Sequence, residues 1–270
     1  KRSGTSRFAS GEETPLSEPR PTATEDGASA EAPANPGGFF SNLFDLYFEP
    51  SNAFARIFVK PRLVVIILMQ VALTLAFTTI WFQKMDARAF MKAQIEQNPR
   101  AMEMPAERID AIIEAQVRFM GTWGRIGPLI APLLIDVVLA GFFMFVFRFF
   151  IAADVTFVQA LAVIAWSFFA RGLVETPMML SIMALKGDWN LDPNSVIQAN
   201  PMAFFEASDV PRWLSAILSS FDLLSFWLIF LLATGYSVAS KRSLSTGLWG
   251  VGIPWGLMIC VKVAFRLIVG

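Results

Sequence analysis

Histidine is absent from this 270-residue chain, and cysteine occurs once. The first absence removes the commonest general base and the commonest metal ligand. The second excludes an intrachain disulfide and a cysteine metal cluster, and Cys260 alone leaves the redox compartment unreadable. Charge is also scarce. Asp, Glu, Lys and Arg make up 16% of the residues, against about 25% in soluble domains. The formal net charge is zero, so nothing indicates a nucleic-acid partner. No phosphate-binding loop is present: Gly247, Gly250, Gly252 and Gly256 lie in or beside an apolar run, where glycine serves close helix packing. A serine or cysteine nucleophile has no histidine to activate it. Asp136 with Asp222 as an intramembrane aspartyl pair has no supporting motif around it. The sequence therefore carries no catalytic, cofactor-binding or metal set, and a non-enzyme is expected.

Apolar sequence is what the chain has in quantity: 55% of it is hydrophobic. Five long runs stand out, at Leu63–Phe82, Ile126–Phe150, Val155–Leu185, Trp213–Tyr236 and Leu248–Val269. A helix crosses the roughly 30 Å hydrocarbon core in about 20 residues, so each run is long enough. Lipid offers no hydrogen bonds, so a lipid-embedded backbone must satisfy itself as helix. The predicted fold class is all-α, an integral membrane bundle of five transmembrane helices. An odd number of spans makes a clean inverted repeat unexpected.

The flanking segments read differently. Residues 1–38 are rich in Pro, Ala, Glu, Ser and Thr and read as a disordered tail, because they bury too little surface to offset folding entropy. The chain opens at Lys1 rather than Met, as a trimmed chain or a fragment would, and its first stretch shows no apolar region of a cleavable signal peptide. Residues 39–60 predict two short amphipathic helices. Phe40, Leu43, Phe44 and Tyr47 share a face of the first. Pro50 stops it, and Ser51 caps a second that carries Phe54, Ile57 and Phe58. These helices either lie in the membrane interface or pack on the protein's own spans.

Residues 61–270 form the predicted membrane domain, with residues 84–125 as an extramembrane cap. Pro61 opens the first span, whose helix is expected to continue through Lys84 toward Gln97 for want of a breaker. Beyond Pro105, Ile109, Ile112, Ile113, Val117 and Met120 line one helical face. The result is an amphipathic helical hairpin that shields the spans or meets a partner. Trp81, Trp123, Trp189 and Trp213 fall near span ends, as interface anchors do. Lys241 and Arg242 in a short turn, Arg148 near another, and Arg56, Lys60 and Arg62 before the first span together favour a cytoplasmic N-terminus, although the cap, Lys262 and Arg266 place further cations on the opposite side.

Asp136, Arg171, Glu175 and Asp222 are read as lying well inside spans. Each charge at the bilayer centre costs about 2.5–3.5 kcal/mol, which calls for a partner or a function. Arg171 and Glu175, four apart, share a helix face and suit an ion pair. Asp136 or Asp222 can reach Arg171 if their spans pack beside the third. Pro177 lacks the N–H for the carbonyl of Leu173, so a kink is expected there. The four residues read either as a structural network or as a proton, ion or polar-substrate path. Asp222 has a local alternative, bonding to Ser219, Ser220 or Ser225.

Two stretches carry a family resemblance. FDLLSFWLIFLLATGYSVASKRS, with Asp222, Leu223, Trp227, Gly235 and Lys241, resembles the signature of the Yip family of Ypt/Rab-interacting proteins. YFEPSNAFARIFVKPR, with Pro50, Phe54 and Pro61, is similar to the segment that leads into that family's first span. The cap after the first span looks like the bacterial branch. The resemblance implies a five-span membrane protein of scaffold or accessory type in a bacterial inner membrane, with no catalytic residues to carry over. Its implied partners are the lipid bilayer and a membrane protein such as an ABC-type exporter, with homo-oligomerisation open. A small transporter using the intramembrane carboxylates and a membrane-shaping protein using Phe39–Phe58 are the alternatives.

Overall fold

A computed structural model describes residues 35–96, 104–205 and 210–269. The predicted tail therefore falls almost wholly outside the described residues. Those described are helical without strands, and five of the helices are long and apolar enough to cross a membrane.

Helices α1 (Phe39–Phe48) and α2 (Pro50–Val59) precede the first span. Pro50 occupies the first turn of α2, where its missing N–H costs nothing. The expected Ser51 cap is corrected: Glu49 is the capping residue and uses its backbone alone. Leu46, Ala53, Phe54 and Ile57 are fully buried against the spans, so one face of this pair packs on the protein itself. The expected apolar face of α1 is split. Leu43 and Tyr47 pack against the core, whereas Phe40 and Phe44 point away.

Helix α3 (Leu63–Lys84) is the first span. It does not continue toward Gln97. Asp86 Oδ1 accepts the amides of Arg88 and Ala89 at 2.9 and 3.1 Å and starts a new helix, α4 (Ala87–Glu96). Aspartate ends one helix and caps the next without any Gly or Pro. Helix α5 (Ala106–Phe149) serves both as the second arm of the cap and as the second span in one 44-residue rod. Arg88 reaches Asp110 at 3.0 Å across the hairpin. Phe90 is buried with Trp81 and Met183 in a small second core, and Met120 packs against it. The cap thus covers the end of the bundle, while Phe119 and Trp123 pair in a tilted arrangement facing outward.

Helix α6 (Phe157–Lys186) begins with a Thr156–Gln159 capping box and continues through Pro177. Next come α7 (Pro193–Val196), a 3₁₀ turn at Pro201–Phe204 and α8 (Arg212–Leu218). The fourth span differs from the Trp213–Tyr236 expectation. The chain breaks at Ser219–Asp222, and the span itself is α9 (Leu223–Ser240). Lys241, in a left-handed turn, leads to α10 (Leu244–Val269).

Helices α6 and α9 form the centre: 56% of each apolar window is buried, against 11% for α3 and α10. Gly247 lies against the carbonyl of Ala233 and Gly250 against Phe147, so both permit close helix approach. Gly252 and Gly256, expected to do the same, face open space.

Candidate functional site

Spacing on α6 brings the first pair together. Arg171 donates from Nε and Nη2 to the two carboxylate oxygens of Glu175, both at 3.0 Å. This is the two-pronged geometry that a guanidinium offers a carboxylate. Asp222 joins from α9, with Oδ2 4.0 Å from Arg171 Nη2. The carboxylate of Asp222 also caps α9, because Oδ2 accepts the amide and the hydroxyl of Ser225 at 2.9 and 2.8 Å. Both readings of Asp222 therefore hold: it is a local cap and an edge of the ionic cluster.

Helix boundaries correct the placement of Asp222 alone. With a helical rise of about 1.5 Å per residue, Arg171 lies about 21 Å and Glu175 about 27 Å beyond the start of α6 at Phe157. Asp222 stands about 27 Å from the other end of α9 at Ser240. Measured from those ends across a core about 30 Å thick, Glu175 and Asp222 stand toward the far boundary, whereas Arg171 stands nearer the middle. Asp222 precedes its span altogether.

Beside the ionic cluster lies a cleft of about 190 Å³. Arg171, Glu175 and Asp222 line one side. The segment between α6 and α9 contributes Asn194, Asn200 and Ser220, and α10 contributes Trp255 and Lys262. Sequence reasoning did not assign Lys262, Asn194 or Asn200 to a site. For Lys262 a signal existed: it lies about 27 Å along α10 from Leu244, level with Asp222 across the Lys241 turn.

Asp136 does not join this cluster, contrary to the expectation that it can reach Arg171. Only 1% exposed, it turns toward Gln70 of α3. Gln70 Nε2 donates to the carbonyl of Ala165 at 3.1 Å. Among the described residues, Asp136 Oδ2 and Gln70 Oε1 have no hydrogen-bond partner by distance and angle.

The positions that carry the resemblance form a second constellation. Phe54 is buried, and a Cβ on Gly235 would stand 3.0 Å from its ring and 2.7 Å from Val163. Trp227 stacks on Tyr47 with ring centres 5.4 Å apart, and the Tyr47 hydroxyl donates to the Ala170 carbonyl at 2.8 Å. Burial raises the Tyr47 phenol above its ordinary value. The Pro61 carbonyl accepts the Trp166 indole N–H at 2.9 Å. Pro50 starts α2, Lys241 ends α9, and Leu223 is exposed. The two resembling stretches therefore pack on one another through Phe54–Gly235 and Tyr47–Trp227, a contact that spacing alone did not reveal. Compared with known proteins, the chain matches no family model, no curated protein and no solved structure.

Proposed function

We propose that the chain is a non-enzymatic membrane scaffold or accessory subunit of the Yip type, supporting a transport or exporter complex in a bacterial inner membrane. The observation that carries this reading is how the ionisable groups near the spans are used. Arg171 is held by Glu175 and approached by Asp222, and Asp222 caps α9. The Arg171–Asp222 approach at 4.0 Å links α6 to the start of α9, as a structural network does. The peripheral spans α3 and α10 keep long apolar faces open to lipid or to a neighbouring membrane protein. Arg148, Lys241 and the Arg56–Arg62 group all lie where spans begin or end away from the cap, which supports a cytoplasmic N-terminus. Crosslinking in native membranes tests the reading: a recurrent membrane-protein neighbour is the expected result, and repeated recovery of the chain alone in mild detergent counts against it.

Asp136 favours a second reading, a small transporter. It is a buried carboxyl with an oxygen that no described residue satisfies, and such groups mark proton and ion paths. Under that reading, reconstituted protein passes ions or protons and Asp136→Asn stops the flux. Absence of flux in the parent protein ends it.

A further inference from the structure

We propose that the cleft between α6, α9 and α10 binds a small zwitterion: an ammonium joined to a phosphate or carboxylate, of which a phosphoethanolamine headgroup is the type. The inference is independent of any protein partner.

Charge comes first. The cleft is lined by two cations, Arg171 and Lys262, and two carboxylates, Glu175 and Asp222. A ligand with a single charge would leave one sign unanswered, whereas a zwitterion answers both. Spare bonding capacity is present. A guanidinium has five N–H donors, and Glu175 takes two of those of Arg171. Each Glu175 oxygen accepts one of these bonds and keeps a lone pair. Asp222 Oδ1 accepts only a long bond of 3.4 Å from the Leu224 amide. None of the ion pairs among the described residues uses Lys262. The anion is accordingly placed at Lys262 and the free edge of Arg171, and the ammonium at Glu175 and Asp222.

Size and position narrow the class. The volume of about 190 Å³ falls below the roughly 300–1,000 Å³ of drug-sized pockets and suits a headgroup rather than a whole lipid. Glu175, Asp222 and Lys262 each lie about 27 Å from the opposite ends of their helices, toward the far side of a core about 30 Å thick, where headgroups are found. Its α10 wall, Met258 and Lys262, is exposed on the same flank as the apolar Leu257 and Val261. A lipid approaching sideways along that flank can place its headgroup in the cleft while its chains remain in the bilayer. Lysine suits such a rim, since its apolar stem lies along lipid while its ammonium reaches the phosphate level.

The test uses the full chain, delipidated in detergent and reconstituted into nanodiscs containing equal parts phosphatidylethanolamine, phosphatidylcholine and phosphatidylglycerol. Lipid that stays bound on ejection is read by native mass spectrometry. Phosphatidylethanolamine is expected to be retained in preference to the other two. A choline headgroup has no N–H for Glu175 and Asp222, and glycerol has no ammonium. Lys262→Gln and Glu175→Gln should each reduce that retention about tenfold, the size of one lost charge-assisted hydrogen bond. Lys262 is exposed, so Lys262→Gln should leave the thermal unfolding temperature unchanged and keeps the test valid even if Glu175→Gln fails to fold. Equilibrium dialysis against phosphoethanolamine in lipid-free detergent separates the sources. Binding there without selective lipid retention assigns the site to a water-soluble zwitterion. Equal retention of all three lipids with no phosphoethanolamine binding overturns the proposal, as does selectivity that survives Lys262→Gln undiminished.

Discussion

Individual side chains in this protein act mainly through backbone groups and close contacts. Asp222 satisfies amides at the start of α9, and losing such a cap typically costs about 1 kcal/mol. Asp222→Ala should therefore lower the thermal unfolding temperature in detergent, while Asp222→Asn should retain most of the stability. Gly235 has no room for a side chain beside Val163. Gly235→Ala should destabilise by about 1–3 kcal/mol through overpacking. Val163→Ala should restore part of the loss, a coupling that a double-mutant cycle of unfolding measurements reads directly. The ionic pair of Arg171 and Glu175 was legible from their spacing of four. The separation of Asp136 from them was not, because a linear pattern does not say which face of the third helix each neighbour meets.

Elements were legible in kind and less so at their ends. The apolar runs located all five long helices, and the amphipathic stripe after Pro105 identified one arm of the cap. Two boundaries shifted, each for a local polar reason. Asp86 ended α3 by capping α4, and the serines before Asp222 divided the expected fourth span. A composition-based reading passes over such sites because neither contains Gly or Pro. Within the cap, the Arg88–Asp110 pair is well exposed, with side chains 59% and 61% accessible. Exposed pairs contribute about 0–1 kcal/mol, so Arg88→Ala should change stability little. Phe90 is buried against Trp81, and Phe90→Ala should loosen the cap by about 3–5 kcal/mol. Limited proteolysis of the cap would show the difference, with faster cleavage in Phe90→Ala alone.

At the scale of the whole molecule, apolar side chains cover the outside as well as the inside. Leu134, Phe145, Trp249 and Val261 are each about half exposed or more, an arrangement that water would penalise and lipid accepts. Cys260, exposed in the structure, is a built-in reporter of this environment. A charged, membrane-impermeant maleimide should leave Cys260 unmodified in intact membranes and label it fully in sodium dodecyl sulfate. Rapid labelling in intact membranes would place water, not lipid, at that surface.

Sequence by itself determined that five segments are helical and long enough to span a bilayer, because length and apolarity are properties of contiguous residues. It also determined that Arg171 and Glu175 share a face, because helical geometry sets that spacing. Only tertiary structure decided that α6 and α9 are central, that Asp136 faces Gln70, and that Lys262 shares a cleft with Arg171, Glu175 and Asp222. Those outcomes depend on which helix faces meet, and contacts between residues distant in sequence are what select among the packings that similar apolar stripes allow.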